Sequence, residues 1–346
     1  MSCCAKPATE KTASSAGGCC VKPAGDVREH VQDFYGSKMY SKELGSTAPE
    51  STCPLACSLP MPNDAEAALT LVHPEVLASS FGCGLPYPQA VQGCRVLDLG
   101  SGAGKDCFVL SYMAGRNGHV VGVDMTPKMI ERSTAMIGYH KEKFGFENVQ
   151  FRQGTLEGLL EIEGVAKGSF DIIVSNCVIN LVADKSVVFK QAFELLKPGG
   201  ELFFSDVYTD KPVPVAVQSN VNAWNECFSG ALPWAEFESI CAQVGFVGPF
   251  VVDSVDYKPV DDGLASTLGD LKFWSKTVRL FKPAGTSPKS DGLEEICVTY
   301  EGTLDGQDQF RLSQTHVLKK NTPHRLPGAM GATLRASRYA AYFKFD

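Results

Sequence analysis

Asp98-Leu99-Gly100-Ser101-Gly102-Ala103-Gly104-Lys105-Asp106 follows an apolar run, Val96 to Leu99, and leads into a helical pattern. Closely spaced glycines at such a strand-to-helix turn let backbone approach a ligand, because they tolerate positive φ and carry no Cβ. The loop does not fit the two phosphate-binding patterns. A dinucleotide loop needs G-x-G-x-x-G, and Lys105 occupies the third glycine position. A Walker loop needs Gly-Lys-Ser/Thr after four spacers, and here Gly104-Lys105 is followed by Asp106. An acid two residues before the first glycine suits a cationic ligand better than a pyrophosphate.

Outward from this loop, apolar runs alternate with amphipathic stretches between about Cys94 and Tyr208. Val96–Leu99, Val120–Val123, Val149–Phe151, Phe170–Val174 and Leu202–Phe204 read as strands. Pro127–Phe144 and Lys185–Leu196 read as helices. Strands alternating with helices predict an α/β chain with a doubly wound parallel sheet. Lys197-Pro198-Gly199-Gly200 is a stop-and-turn before the fifth strand. Asp124 ends the second strand, where a carboxylate accepts hydrogen bonds from ribose hydroxyls. Together, D-x-G-x-G-x-G, the acid at the second strand end and K-P-G-G resemble the class I S-adenosylmethionine-dependent methyltransferases over residues 90–210. The resemblance implies a Rossmann-like sheet and a cofactor site made of Phe81, Asp98, Gly100, Ser101, Gly102, Gly104, Asp124, Met125, Leu156, Glu157 and Asn176. Met125 is expected to pack on the adenine and Glu157 to face its amino group.

The composition is globular: 346 residues, 44% hydrophobic and 21% charged. A formal charge of −7 argues against nucleic acid or an anionic membrane as the main partner. No apolar run is long enough to span a bilayer. The 13 cysteines are too few for a disulfide scaffold. Residues 1–26 are expected to be a disordered tail, with Cys3-Cys4 and Cys19-Cys20 in a short repeat and no apolar leader. The expected location is therefore cytoplasmic, with reduced thiols. An organelle transit peptide stays open as the alternative, although the arginines it needs are missing.

Three cysteines belong to segments expected to cap the cofactor region. In an open α/β sheet the ligand lies beyond the C-terminal strand ends, and Ser175-Asn176-Cys177 ends the fourth strand. Cys83 sits in Phe81-Gly82-Cys83-Gly84-Leu85 before the first strand, and Cys227 follows the fifth in Trp224-Asn225-Glu226-Cys227. Their wide separation is not a local zinc motif. Three thiols beside a methyl donor suit a soft, thiophilic centre, and trivalent arsenic bonds three sulfurs while keeping a lone pair. These motifs, with Ser175–Leu181 and Phe204-Ser205-Asp206-Val207-Tyr208, closely resemble arsenite S-adenosylmethionine methyltransferases over about residues 28–320.

The resemblance implies that Cys83, Cys177 and Cys227 bind As(III), and that a fourth cysteine upstream pairs with the first as a disulfide during turnover. Cys53 matches that position best, with Cys57 as its rival. It further implies arsenite or its glutathione conjugate as substrate, thioredoxin or glutathione as reductant, and a monomer. Phe81 and Lys105 stand where the family often has Tyr and Arg. The expected order is a tail (1–26), a cofactor domain (27–210), an arsenite-binding helical segment (211–250) and a small α+β domain (251–346) that ends in a helix at Ala332–Phe343. Cys94, Cys107, Cys241 and Cys297 read as packing residues. Two other functions fit less of the pattern: methylation of an organic molecule, with incidental cysteines, and a non-catalytic metalloid binder that kept the fold.

Overall fold

The computed structural model describes residues 31–34, 61–259, 262–285, 294–304 and 306–346. The expected tail, Cys53 and Cys57 lie outside the described residues. The chain is an α/β protein built on one large sheet in the order β3-β2-β1-β4-β5-β8-β7. Its strands are β1 (Arg95–Leu99), β2 (His119–Asp124), β3 (Val149–Gln153), β4 (Phe170–Asn176), β5 (Leu196–Thr209), β6 (Leu232–Pro233), β7 (Val247–Tyr257) and β8 (Phe273–Phe281). The first five are parallel, β6 pairs with the end of β5, and β8 and β7 add antiparallel at one edge.

Four of the five expected strands form because their runs are apolar on both faces, as a sheet covered on both sides requires, while the edge run Val149-Gln150-Phe151 buries one face and exposes Gln150. Val96, Leu97, Leu99, Ile172, Ile173 and Val174 are completely buried. The strand order reverses between β1 and β4, which opens the crevice where doubly wound sheets take ligands.

Lys197–Gly200 does not stop the chain cleanly. It enters β5 as an irregularity between the Phe170/Leu196 and Ile172/Glu201 pairs, with Gly199 at φ 79°. The expected helix Pro127–Phe144 is two helices, Pro127–Ala135 and Ile137–Phe144. The stretch 212–245 is helical at Val215–Gln218, Val221–Asn225 and Trp234–Val244.

The boundary expected at residue 250 falls inside β7. Both β7 and β8 belong to the central sheet, and β8 pairs with β5 over nine residues. Beyond them lie β9 (Ile296–Tyr300), the hairpin β10 (Gln309–Arg311) and β11 (Val317–Lys319), then β12 (Pro323–Leu326) and β13 (Phe343–Phe345). The strands β12-β9-β13 form a small antiparallel sheet around buried Tyr300, Phe310, Leu334 and Tyr339. The expected helix 332–343 is split: an α-helix at Gly328–Ala336, starting earlier, and a short 3-10 turn at Ala340–Tyr342. The α-helix stops because Ser337 turns extended, which carries Arg338 and Tyr339 back to the sheet. There Glu201, fully buried on β5, pairs with Arg338 (2.6 Å) and Arg279 (2.9 Å) and accepts a bond from the Tyr339 hydroxyl. This charged knot ties the chain end to the sheet that carries the site.

Candidate active site

A cavity of about 520 Å³ opens beyond the C-terminal ends of β1, β2 and β4, a size ordinary for a small-molecule site. Phe81, Gly100, Ser101, Gly102, Asp124, Met125, Leu156, Glu157, Asn176, Cys177 and Cys227 line it. Asp98 and Gly104 do not; they stand behind the loop and shape it.

The loop's geometry explains its residues. Gly104 precedes the helix Lys105–Ala114 at φ 95°, and a Cβ there would lie 2.8 Å from Phe151 and 2.9 Å from Phe108. Gly102, at φ 51°, faces open space. Gly100 and Ser101 donate backbone hydrogen bonds to Val123 O. Asp124 accepts from Gly102 N (2.9 Å) and Thr126 N (2.8 Å), so one carboxylate fixes the loop and still presents lone pairs to the cavity.

Asp98 is buried and accepts from the Cys107 thiol at 3.1 Å. Burial, and then the charge of Asp106, push its carboxyl up to about 8. Burial also raises the Asp124 carboxyl.

An S-adenosylmethionine-sized ligand fits this wall on the structure's own terms. The Ser101 hydroxyl is buried with no hydrogen-bond partner among the described residues, and Gly102 leaves a cradle that a side chain would fill. The sequence reading missed part of the lining. Val31 and Phe34 from the helical residues 31–34, and Tyr257 and Lys258 at the end of β7, border the same cavity. Gln32 donates to Met125 O at 3.0 Å, joining that segment to the loop after β2.

The three expected thiols do converge. Cys83 and Cys177 are joined by a disulfide, with Cα atoms 5.7 Å apart, and the Cys227 thiol donates to Cys177 O at 3.3 Å. The resemblance implied a Cys53–Cys83 pair; the bond present joins Cys83 to Cys177 instead, while Cys53 lies outside the described residues. The thiols share an apolar cluster with Val207, Val213, Val217, Ala223 and Phe228. Burial, with a smaller contribution from Asp206, pushes the Cys227 thiol well above its ordinary range, so without a thiophile it stays protonated.

Two of these cysteines hold unusual backbone: Cys177 at φ 58° and Cys227 at φ 63°. For an L-residue other than Gly, Asn or Asp this conformation costs roughly 1–2 kcal/mol, and such strain concentrates at functional sites.

The sequence reading quoted Asp206 within a motif but gave it no role. Its carboxylate lies within 4.8 Å of the Cys83 and Cys177 sulfurs, buried, and accepts from Asn180 N (3.0 Å) and Val207 N (2.9 Å). Burial raises it to about 7. An acid lying just past the apolar run Leu202–Phe204, between Ser205 and Val207, was the available signal. Cys94, Cys107 and Cys241 are buried away from the three thiols, and Cys297 is half-buried on β9, as packing residues should be.

Relatives agree with this geometry. A family profile described as a methyltransferase domain matches residues 90–245. The arsenite methyltransferase of Aquipseudomonas alcaligenes is 42% identical over 92% of the chain and 90% of the relative's length. The Mus musculus arsenite methyltransferase is 38% identical over 94% of the chain and 85% of its own length. The crystal structure of an arsenic(III) S-adenosylmethionine methyltransferase from Chlamydomonas reinhardtii superposes with TM-score 0.77 at 36% identity, covering 83% of this chain and 96% of that one. A doubly wound sheet with a glycine loop, three converging cysteines and relatives matched nearly end to end place this chain in the arsenite methyltransferase family.

Proposed function

We propose that the chain methylates trivalent arsenic with S-adenosylmethionine, the arsenic being held as a thiolate complex on Cys83, Cys177 and Cys227. One observation carries this reading: Cys177 and Cys227 line the same cavity as the Gly100–Gly102 loop and Asp124, and Cys83 is bonded to Cys177. When bound, the methyl donor supplies an electrophilic methyl on a positively charged sulfur. Asp124 would hold the ribose end, with Ser101 and Gly102 toward the donor's chain and Glu157 toward its base.

The thiol side binds and orients. A reductant, thioredoxin or glutathione, delivers two electrons and two protons to open Cys83–Cys177 as two thiols. Arsenite, free or as its glutathione conjugate, then exchanges onto the three sulfurs and loses its oxygen or thiol ligands. The nucleophile is the arsenic lone pair, so no general base is needed for the transfer. Acceleration comes from holding both reactants in register. Methylation oxidises arsenic by two electrons, and a thiol pair closing to a disulfide, Cys53 with Cys83, returns them. Mono- and dimethylated arsenicals are the products, and detoxification of arsenite is the outcome. The chemistry needs reducible thiols, which fits the cytoplasm, and a monomer suffices because all three sulfurs come from one chain. Among the described residues no helix is long and apolar enough to cross a membrane.

The test uses a labelled methyl donor with arsenite and glutathione. Wild type should label arsenic and Cys177→Ser should not. Label appearing on an organic acceptor while arsenic stays unlabelled would overturn the reading.

A further inference from the structure

We propose that Asn176 is a positioning residue for the arsenic-holding thiols: it sets the Cys83 backbone against Cys177 and ties that register to the start of the helix following the cofactor loop. This rests on the function proposed above and sharpens it. The sequence reading placed Asn176 among the cofactor contacts, and it does border the cavity. Its side-chain amide, however, is fully engaged elsewhere. Oδ1 accepts from Cys83 N (3.0 Å) and Gly84 N (3.2 Å). Nδ2 donates to Gly84 O (3.0 Å) and to Asp106 Oδ2 (3.0 Å). An asparagine amide offers two lone pairs and two hydrogens, and here all four are used.

The clamp reaches in both directions. Asp106 also accepts from the Tyr87 hydroxyl at 2.5 Å and pairs with Lys105 at 3.3 Å, so the second residue of the helix that follows the glycine loop is bound to the thiol loop through one amide. On the other side Ser275, on β8, donates to Cys83 O at 2.7 Å. Both backbone polar groups of Cys83 are therefore held by side chains from different strands. The flanking glycines make this approach possible. A Cβ at Gly82 would lie 2.5 Å from the Asn176 amide nitrogen, and one at Gly84 would collide with Ser205. Asn176 also precedes Cys177 directly, and Cys177 N donates to Ser205 O at 2.8 Å. The same strand end thus presents one sulfur through its backbone and the other through this amide.

The test uses the full-length reduced protein, inorganic arsenite as the thiol-site probe and S-adenosylhomocysteine as the donor-site probe. Asn176→Ala should lower methylation kcat about 100-fold, the scale of loss for a misplaced reactive group, while the donor-site Kd, through the lost cavity wall and Asp106 contact, weakens by less than about fivefold. Sulfur-to-arsenic charge-transfer absorbance should report two sulfurs on arsenic rather than three. The exchange Asn176→Asp with Asp106→Asn rebuilds the amide–carboxylate contact with its partners reversed but cannot donate to Gly84 O, so it should recover only part of the lost kcat. If Asn176→Ala does not fold, Ser275→Ala decides the matter, because it releases the other end of the Cys83 backbone from a strand remote from the glycine loop. It should weaken arsenite coordination and spare donor binding. Three-sulfur coordination retained in Asn176→Ala, or in Ser275→Ala, would overturn the proposal, as would a tenfold loss of donor affinity with arsenite binding intact. A wild type that binds no arsenite would overturn the proposed function itself, and this proposal with it.

Discussion

Between Gly100 and Gly104 the cavity wall is made of consecutive residues, and glycine supplies the positive φ values of that turn. Across the same cavity the thiols arrive from three segments, Cys83 and Cys177 being 94 residues apart and Cys177 and Cys227 50. There the left-handed positions are occupied by cysteine itself. The donor wall is thus cheap to fold and local. The thiol wall is strained, and it exists only once β4, β5 and β8 have assembled. A local wall should fail through its own backbone, and an assembled wall through its supports.

The largest expected effect separates the walls outright. Cys177→Ser should lower arsenite methylation by roughly 1000-fold, since a lost coordinating sulfur removes the oriented nucleophile, while donor affinity changes by no more than about threefold. Calorimetry and the labelled-methyl assay on one preparation check both. Equal loss of both activities would mean that the walls are one unit.

Gly104→Ala should give the reverse pattern. A Cβ at φ 95° against Phe151 and Phe108 combines left-handed strain with overpacking, for roughly 2–3 kcal/mol of stability and a donor affinity weakened about tenfold. Arsenite coordination by the three thiols, read by absorbance, should persist.

Each wall also holds a buried acid whose carboxyl is pushed far above the ordinary range, and pH distinguishes the two. Burial raises Asp98 to about 8 and Asp206 to about 7. Above the unfolded value of about 4, the folded chain keeps protons that the unfolded chain has released. Stability of the donor-free protein therefore falls as pH rises from about 4 toward these values, and it loses no more from each group above its folded pKa. In Tm measured against pH, Asp98→Asn should flatten the decline up to about 8 and Asp206→Asn up to about 7. Unchanged slopes in both variants would show that neither carboxyl is protonated in the fold.

The smallest effect is a control on the cysteine count. Cys241→Ala, in the helix packed behind β5, should cost about 1 kcal/mol of stability and leave methylation within about twofold. A larger loss of activity would extend the thiol wall beyond three residues.

The contrast between walls also governs what could be read before the structure. The parallel core and the Gly100–Gly104 turn were legible because strand periodicity and glycine spacing are local signals, and the first five strands occur where their apolar runs are. The antiparallel strands β7 and β8 were not, because the pairing of Phe273–Phe281 with β5, which carries Val247–Tyr257 into the main sheet, is a long-range contact that no local pattern announces. The final helix was misplaced for a similar reason: Ser337 breaks it so that Arg338 can reach Glu201, a partner 137 residues earlier. Among site residues, Cys83, Cys177 and Cys227 were found through their motif context. The bonding of Asn176 to Cys83, the carboxyl of Asp206 beside the sulfurs, and Tyr257 and Lys258 at the cavity rim all depend on contacts between segments far apart in sequence.

The backbone at Cys177 and Cys227 has an evolutionary consequence. Glycine or asparagine would sit more comfortably at both positions. A library of variants selected only for survival at higher temperature should therefore drift away from cysteine there, trading metalloid capture for durability. The lineage would keep a sound methyl-donor pocket and lose its substrate. Sulfur at both positions is therefore something the fold alone does not ask for, and only the proposed thiol chemistry accounts for it.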